Sequence, residues 1–379
     1  MDESTIDRYG GTLRIESEAT GFFRAEEVNG RWWLITPEGH GFLSLGINHI
    51  DSSFLKYPDN VHIWRERYGS TERWIREGVT ADLKRWRFNT IGWTQELVAQ
   101  GMRHSPGWRH PEYRCAGMPY VHLLKFADFA VWDDRARYPA VFSGEFADWC
   151  DYVARESCVD MAEDPNLIGY FFADVPGWQG NNRSEAYFPG IGPKTENGLG
   201  ELRRIAHRYY RVIGEAIRRY DANHLLLGDR YDGDGGIPDC VIEAALPYID
   251  VFSVQYYSPY RVMEDDLRRW NRDTGLPILL ADSAFLAPTR LLRVSEKARV
   301  YCAGQKERGE RYVEFAEAAF ATPYVVGWHW CAYAENLARK SGVKDHFDEP
   351  YDELVERMTE FNSRVYETAT GARAQNTGR

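Results

Sequence analysis

Two aspartates, Asp174 and Asp282, each follow an apolar run, LIGYFFA before the first and PILLA before the second. Two carboxyl groups on either side of a glycosidic bond can cleave it, one as the acid and the other as base or nucleophile. Burial beside Phe172 and Pro176 is expected to raise the pKa of Asp174, as an acid requires. The sequence therefore predicts Asp174 as the general acid and Asp282 as the ionised base or nucleophile.

Other polar side chains follow the remaining apolar runs in the same way. Amide, imidazole, guanidinium and phenol groups of this kind fix the orientation of a polar ligand. The predicted substrate-binding residues of this type are Asn48, His49, Gln95, Asp229, Arg230, Gln255, Tyr256, Tyr257 and Glu335.

Tryptophans are frequent, with 13 in the chain. Flat aromatic side chains cover the apolar faces of pyranose rings at a low cost in entropy. The run VVGWHW predicts that Trp328 and Trp330 line the floor of a sugar-binding cleft, with Trp330 as the ring platform. Trp93 and Trp178 are predicted to form its outer walls, and His329 is expected to point away from the cleft.

Each candidate also has a structural alternative. Asp229 and Arg230 could form a buried ion pair, and His49 could be a hydrogen-bonded core histidine. Tyr256 and Tyr257 cannot both face inward from one strand, so one of them is expected to pack. Tryptophans on a strand are common in ordinary cores as well.

Eight apolar segments alternate with amphipathic helical segments from about Gly41 onward. Strands that alternate with helices predict parallel βαβ units, and eight such units predict a (β/α)₈ TIM barrel with its site at the C-terminal strand ends. An open doubly wound sheet is the alternative, but no glycine-rich phosphate loop follows the first strand. The predicted strands are 41–48, 88–93, 120–126, 167–173, 224–230, 251–257, 277–283 and 324–330.

The predicted barrel spans residues 41–370, and residues 1–40 are predicted to form a strand and hairpin segment that packs on it. Within the segment NGRWWLITPEGHGF, the Asn-Gly pair predicts a hairpin turn that closes the bottom of the barrel. Residues 104–119 and 179–200 are rich in Gly, Pro and Asn and are predicted to be active-site loops.

The formal net charge is −11. An acidic chain without a basic run is a poor partner for nucleic acid, and the basic segment 203–219 has the spacing of an amphipathic helix. The six cysteines are scattered without metal-binding spacing, so neither a metal nor a cofactor is predicted. The absence of an apolar signal segment or membrane-spanning run predicts a cytoplasmic protein without membrane contact. Assembly into a homo-oligomer is left open.

Seven segments of the chain form a combination that is specific for one superfamily. They are NGRWWLITPEGHGFLSLGIN, LKRWRFNTIGW, DPNLIGYFFADVPGW, DANHLLLGDRY, IDVFSVQYY, GLPILLADSAF and VVGWHWCAYAEN. Together they resemble the agarase-like and β-galactosidase-like glycoside hydrolases of clan A. The resemblance covers most of the chain and implies a (β/α)₈ barrel that acts on a carbohydrate.

The chain departs from this family at both usual catalytic positions. In the family the fourth strand ends in Asn-Glu, with Glu as acid/base, and the seventh ends in a nucleophilic Glu. The match places Asp174 on the Asn, Val175 on the first Glu and Asp282 on the second. Two Asp in place of two Glu widen the gap between the carboxyls, because each lacks one methylene, and a wider gap suits inversion.

The expected function is hydrolysis of an oligosaccharide or small glycoside by two Asp carboxylates. One alternative is a catalytically inactive sugar-binding barrel. The other is a non-hydrolytic carbohydrate enzyme, such as a lyase or an isomerase.

Overall fold

The computed structural model of the protein describes residues 3–98, 103–130, 137–178, 196–336 and 339–371. In chain order its strands are β1 Thr12–Glu16, β2 Arg24–Val28, β3 Arg31–Ile35, β4 His40–Phe42, β5 Ser44–Asn48, β6 Thr90–Ile91, β7 Leu97–Val98, β8 Arg103–His104, β9 Tyr120–Leu123, β10 Leu167–Asp174, β11 Leu225–Asp232, β12 Phe252–Gln255, β13 Ile278–Ser283 and β14 Val325–Cys331. Strands β5, β6 and β9 to β14 form a closed parallel barrel, with β14 paired to β5. The predicted (β/α)₈ TIM barrel is confirmed.

Helices surround the barrel and pack their apolar faces on it. The regular ones are His110–Ala116, Gly144–Met161, Glu196–Tyr220, Asp239–Ala245, Tyr260–Thr274, Gln305–Ala321, Asp352–Ser363 and Val365–Thr370. Short helical pieces are Glu3–Thr5, Ser52–Leu55, Val61–Ile63, Trp64–Tyr68, Thr71–Arg73, Trp74–Thr80, Ala81–Arg85 and Leu246–Tyr248. None of the described helices combines the length and apolar composition that a transmembrane span needs.

All eight predicted barrel strands are present, although several are shorter than expected. The segment EKARVYCAGQKERGERYVEFAEAAF, residues 296–320, is predicted from the sequence to be helical, but the helix begins at Gln305, so the first part of this prediction is wrong. The chain before it bridges Tyr301 to Leu286 in the loop after β13, and this pairing replaces helical hydrogen bonds. Part of the predicted loop 104–119 is helical, and residues 179–195 lie outside the described residues.

An antiparallel sheet with the order β1, β4, β3, β2 precedes the barrel. The predicted hairpin joins β2 to β3. Its turn residues Asn29 and Gly30 have φ values of 55° and 75°, as the tight turn favoured in two-residue hairpins requires. Leu34 and Phe42 of this sheet pack with side chains inside the barrel and close its N-terminal end. The boundary between the two parts at residue 40 stays a prediction.

A local irregularity in β11 decides which of its side chains point into the barrel. Gly228 has a φ of 68°, a conformation that glycine adopts without strain, and the pairing of β10 with β11 shifts register beside it. Leu227 lies inside the barrel, and so does Arg230, three residues further on. Asp229 points outward, toward the surrounding helices.

Candidate active site

The C-terminal ends of the barrel strands carry a connected group of polar side chains, called the mouth cluster below. Direct contacts join its members, and all of them were among the residues predicted from the strand ends. The members are Asn48, His49, Asp174, Arg230, Gln255, Tyr257 and Asp282.

Asp282 lies at the centre of the mouth cluster and is 4% exposed. Asn48 Nδ2 donates to its Oδ1 at 2.7 Å, and the Tyr257 hydroxyl donates to its Oδ2 at 3.0 Å. Arg230 Nη2 and His49 Nε2 lie 3.4 and 3.7 Å from the same Oδ2. Burial alone would raise the pKa of Asp282, but the imidazole, the guanidinium and the amide outweigh burial and hold this pKa far below its usual range. Asp282 is therefore a carboxylate at neutral pH.

Asp174 lies on the other side of the Arg230 guanidinium. Arg230 Nη1 donates to Asp174 Oδ1 at 3.0 Å, and Gln255 Nε2 donates to the same oxygen at 2.6 Å. Asp174 therefore accepts two hydrogen bonds from protein groups, one of them from a charged donor. The predicted apolar environment of Asp174 is thus corrected, because a buried cation reaches this carboxyl from the next strand.

Arg230 is fully buried and connects three parts of the site. Besides its two carboxylate contacts, its Nη2 donates to the Ala281 carbonyl at 3.1 Å. Its guanidinium carbon lies 4.7 Å from the centre of the Trp93 ring, within the range of a cation–π contact. The alternative of a pair between Asp229 and Arg230 is excluded, because these side chains point to opposite faces of β11.

His49 joins the mouth cluster to a second ion pair. Its Nδ1 lies 2.8 Å from the carbonyl oxygen of Gln95. Nearby, Arg339 Nη2 donates at 2.9 Å to Glu96 Oε1, and Glu96 is buried. Burial and Arg339 would lower the pKa of His49, but the negatively charged groups around the ring, Glu96 and Asp282 among them, raise it to about 10.

The two adjacent tyrosines point in opposite directions, as strand alternation requires. Tyr257 donates to Asp282 within the mouth cluster. Tyr256 instead donates to Asp266 Oδ2 at 2.7 Å and packs near Trp270, outside the barrel. The predicted substrate-binding role of Tyr256 is therefore replaced by packing.

Trp328 and Trp330 face the outer helices, which corrects the predicted ring platform. A register shift between β13 and β14 reverses the expected faces, so His329 points into the barrel. Trp328 stacks on Tyr312 with ring centres 4.7 Å apart. Trp330 is 1% exposed, and its Nε1 donates to the Ser341 carbonyl at 2.9 Å. Neither indole has a free face for a sugar.

Trp330→Ala is expected to lower the free energy of unfolding by about 3–5 kcal/mol, because it removes a fully buried aromatic side chain. Urea unfolding measures this loss. Trp149→Ala is the matched control, since Trp149 is 48% exposed and should cost much less. A small loss at Trp330 combined with weaker saccharide binding would restore the platform role.

Trp178 and Trp93, the two tryptophans predicted to form the outer walls of the cleft, have different surroundings. Trp178 is buried, and its Nε1 donates to Asp229 Oδ2 at 3.1 Å, so it belongs to the core. Trp93 contacts the mouth cluster directly, with Arg230 over its ring and the His49 ring centre 4.9 Å away. In the part of the chain that the structure describes, Trp93 is the predicted tryptophan that stays next to the site.

Asp229 and Glu335 were predicted to bind substrate, but both are buried among other partners. Asp229 accepts hydrogen bonds from the hydroxyls of Tyr209 at 3.1 Å and Tyr210 at 2.6 Å. Glu335 accepts one from the Tyr351 hydroxyl at 2.7 Å. Burial raises the pKa of Glu335, and it raises the pKa of Asp229 to about 7. Their predicted contact with substrate is corrected to a structural role.

Asp229→Asn is expected to gain stability relative to the wild type as the pH rises from about 4 to about 7. In the unfolded wild type Asp229 loses its proton near a pKa of about 3.9, whereas the folded protein keeps it until about 7. Wild-type stability therefore falls across this window and is level above it. The Asn variant has no such proton. The free energy of unfolding of the variant, relative to that of the wild type, therefore rises by at most roughly 4 kcal/mol across this window. Urea unfolding of both proteins at about pH 4 and about pH 8 measures the shift, and a pH-independent difference would contradict it.

A small cavity of about 30 Å³ opens at the mouth of the barrel. Its lining residues are Trp93, His104, Leu123, Lys125, Ala127, Asp128, Phe129, Ala130 and Asp174. Larger cavities of about 650 and 270 Å³ lie elsewhere, one next to the N-terminal segment and one beside Tyr260. Neither of them includes a member of the mouth cluster, so the chemistry and the largest described cavities do not coincide.

Four buried polar atoms around the mouth have no hydrogen-bond partner among the described residues. They are His49 Nε2, Trp93 Nε1, Gln95 Oε1 and Arg230 Nε. Buried polar groups are nearly always satisfied in folded proteins. A set of unpaired donors and acceptors around one mouth suits a ligand with many hydroxyl groups, because a hydroxyl both donates and accepts.

Cys331 and Arg339 also contact the mouth cluster, and neither of them was predicted to do so. Cys331 is the last residue of β14, and its Sγ lies close to His49 and Asp282. Strand alternation could have found it, because Cys331 follows the inward-facing His329 by two residues. Arg339 reaches the cluster from the chain after β14, where no periodic pattern identifies it.

Comparison with known proteins shows which class this barrel resembles. No protein-family model matches the chain. β-Agarase B of Vibrio sp. (strain JT0107) is 21% identical over an alignment of 480 positions, which covers 92% of this chain and 49% of the relative. β-Agarase A of the same strain is 27% identical over 470 positions, covering 92% and 46%. The chain therefore spans about half the length of these curated relatives.

Solved structures of agarases have the same fold. An exo-β-agarase superposes with a TM-score of 0.79 at 19% identity, covering 98% of this chain and 69% of that one. Another agarase gives a TM-score of 0.76 at 19% identity, covering 96% and 66%. The resemblance to agarase-like glycoside hydrolases is confirmed, and the fold is a TIM barrel of the agarase type.

Proposed function

We propose that the chain is a glycoside hydrolase that cleaves a β-linked galactan oligosaccharide of the agarose type. The main observation behind this proposal is the state of Asp282. A buried carboxylate held in its charged form at the C-terminal mouth of a TIM barrel suits an oxocarbenium-like transition state at an anomeric carbon. The similarity to two proteins named β-agarases supports the substrate class.

The surroundings of Asp282 support a saccharide as the ligand. Trp93 offers an aromatic ring next to the cluster, and the polar atoms of His49, Gln95 and Arg230 without protein partners can bond hydroxyl groups. Ligand sites typically combine aromatic surface with a few well-placed polar groups. A sugar ring has both an apolar face and a hydroxyl edge, so it uses both features.

In the proposed reaction, Asp282 takes a proton from a water molecule that attacks the anomeric carbon. Asp174 gives a proton to the glycosidic oxygen, the bond between that oxygen and the anomeric carbon breaks, and the product has the opposite configuration. The guanidinium of Arg230 lies 3.0 Å from Asp174 and 3.4 Å from Asp282, so both proposed catalytic carboxyl groups lie next to the same buried cation.

A second candidate is a saccharide-binding barrel that does not cleave its ligand. One observation favours it: both Arg230 and Gln255 donate to Asp174 Oδ1, so this oxygen of the proposed acid is already bonded to protein groups. The neighbouring position, Val175, has no proton to give.

Incubation of the full chain with agarose oligosaccharides separates the two candidates. New reducing ends, measured over time, support the hydrolase. A melting temperature that rises in a saturable way with one oligosaccharide, without any new reducing ends, supports the binding protein instead. Neither turnover nor a shift would contradict both.

A further inference from the structure

We propose that His49, Asp282 and Cys331 form a binding site for a divalent cation of the zinc class. Their ligand atoms, an imidazole nitrogen, a carboxylate oxygen and a sulfur, all lie within 4.8 Å of one another. All three residues are buried, and they stand at the C-terminal ends of the neighbouring strands β5, β13 and β14. Their wide separation in the sequence is the reason why no metal site was predicted.

The orientation of His49 points to a ligand. Its Nδ1 lies 2.8 Å from the Gln95 carbonyl oxygen and 3.2 Å from Arg339 Nη2, so this nitrogen is already in contact with protein groups. The Nε2 atom then faces Asp282 from 3.7 Å without a hydrogen-bond partner in the described residues. Metal-binding histidines are commonly oriented in this way, with one nitrogen bonded to a carbonyl and the other free for the ion.

Charged side chains surround the three residues. The charged neighbours are the carboxylates of Glu96, Asp174 and Asp282 and the guanidiniums of Arg230 and Arg339. Asp282 would supply one negative charge to a bound ion, and Cys331 would supply a second, because a divalent ion deprotonates a thiol that coordinates it. Arg339 Nη1 lies 3.4 Å from Cys331 Sγ. Binding would replace the protons on His49 and Cys331, as metal ligation requires.

The ligand set selects the kind of ion. Thiolate and imidazole together favour zinc and similar borderline ions over magnesium or calcium, which prefer oxygen ligands. Three protein ligands are the number found in zinc sites that keep one position open.

Occupation of this site has a consequence that rests on the proposed function. An ion bound to Asp282 occupies the carboxylate that the hydrolase needs, so zinc is expected to inhibit hydrolysis and a chelator to restore it. The binding site itself does not depend on that function.

Cobalt(II) is the probe for the site, because its bond to a thiolate produces a charge-transfer absorption in the near ultraviolet. The metal-free full chain is expected to develop this band with one equivalent of Co²⁺ and to lose it when Zn²⁺ displaces the cobalt. Cys331→Ser is expected to abolish the band and to weaken zinc binding more than about tenfold. Cys115→Ser is the control that should keep the band, since Cys115 lies outside the site.

Asp282→Asn is the second variant, for the case that Cys331→Ser does not fold, and it should also weaken cobalt binding. No band in the wild type, or a full band in either site variant, would overturn the site. Hydrolysis of agarose oligosaccharides is measured in the same metal-free samples. A cobalt band without hydrolysis would overturn the proposed function alone, and hydrolysis without a band would overturn the metal site alone.

Discussion

Asp282→Asn is expected to lower kcat/KM for agarose oligosaccharides by at least about three orders of magnitude. The change removes the charge that the mouth cluster holds on this side chain, and it keeps the shape and the contact from Asn48. Because the lost interaction stabilises the transition state more than the bound substrate, kcat should fall while KM changes little. Initial rates of reducing-end formation measure the effect.

Asp232→Asn is the matched control for this prediction. Asp232 ends β11 and bonds the backbone of Gly235 on its own loop, so its variant should keep wild-type turnover. Equal turnover in the wild type and Asp282→Asn would remove Asp282 from the mechanism. An equal loss in both variants would indicate a general effect of the barrel mouth on stability.

Arg230→Met is expected to lower the free energy of unfolding by about 3–5 kcal/mol at neutral pH. Its guanidinium is buried and bridges Asp174 and Asp282, so its removal leaves two close carboxylates without their shared cation. Methionine fills a similar volume, which confines the effect to charge and hydrogen bonding. Urea unfolding of the wild type and the variant measures the loss.

An exposed ion pair provides the comparison for Arg230. Arg299 is 63% exposed and pairs with Asp234 at 3.0 Å, so Arg299→Met should cost less than about 1 kcal/mol. The loss at Arg230 should also become smaller as the pH falls, because protonation relieves the repulsion between the two carboxylates. Equal losses in the free energy of unfolding for Arg230→Met and Arg299→Met would show that water screens the charges of the mouth cluster.

The barrel could be predicted from the sequence because alternation of apolar strands and amphipathic helices is a local pattern. The positions of the site residues at strand ends followed from the same pattern, and Asn48, Gln255 and Asp282 meet where they were expected. Parallel strands bring their carboxyl ends to one rim, so order along the chain is enough to place these residues.

The direction in which each strand side chain points, into the barrel or toward the helices, could be predicted less reliably from the sequence. Side chains alternate along a strand, but one irregular position reverses every face beyond it. In β11, Gly228 is the irregular position that reverses the face of Arg230. In β14, a register shift near the start of the strand reverses the faces of Trp328 and Trp330. Contacts between residues that are far apart in the sequence, such as that between the Arg230 guanidinium and Asp174, could not be predicted, because they form only in the folded structure.

We propose that the mouth of this barrel hydrolyses a β-linked galactan between Asp174 and Asp282. Proton NMR of the first product formed from an agarose oligosaccharide by the wild-type chain tests it most directly. The predicted result is a new reducing-end signal whose anomeric configuration is opposite to that of the cleaved linkage. Retained configuration would contradict the inverting pair, and the absence of any new reducing end would contradict hydrolysis itself.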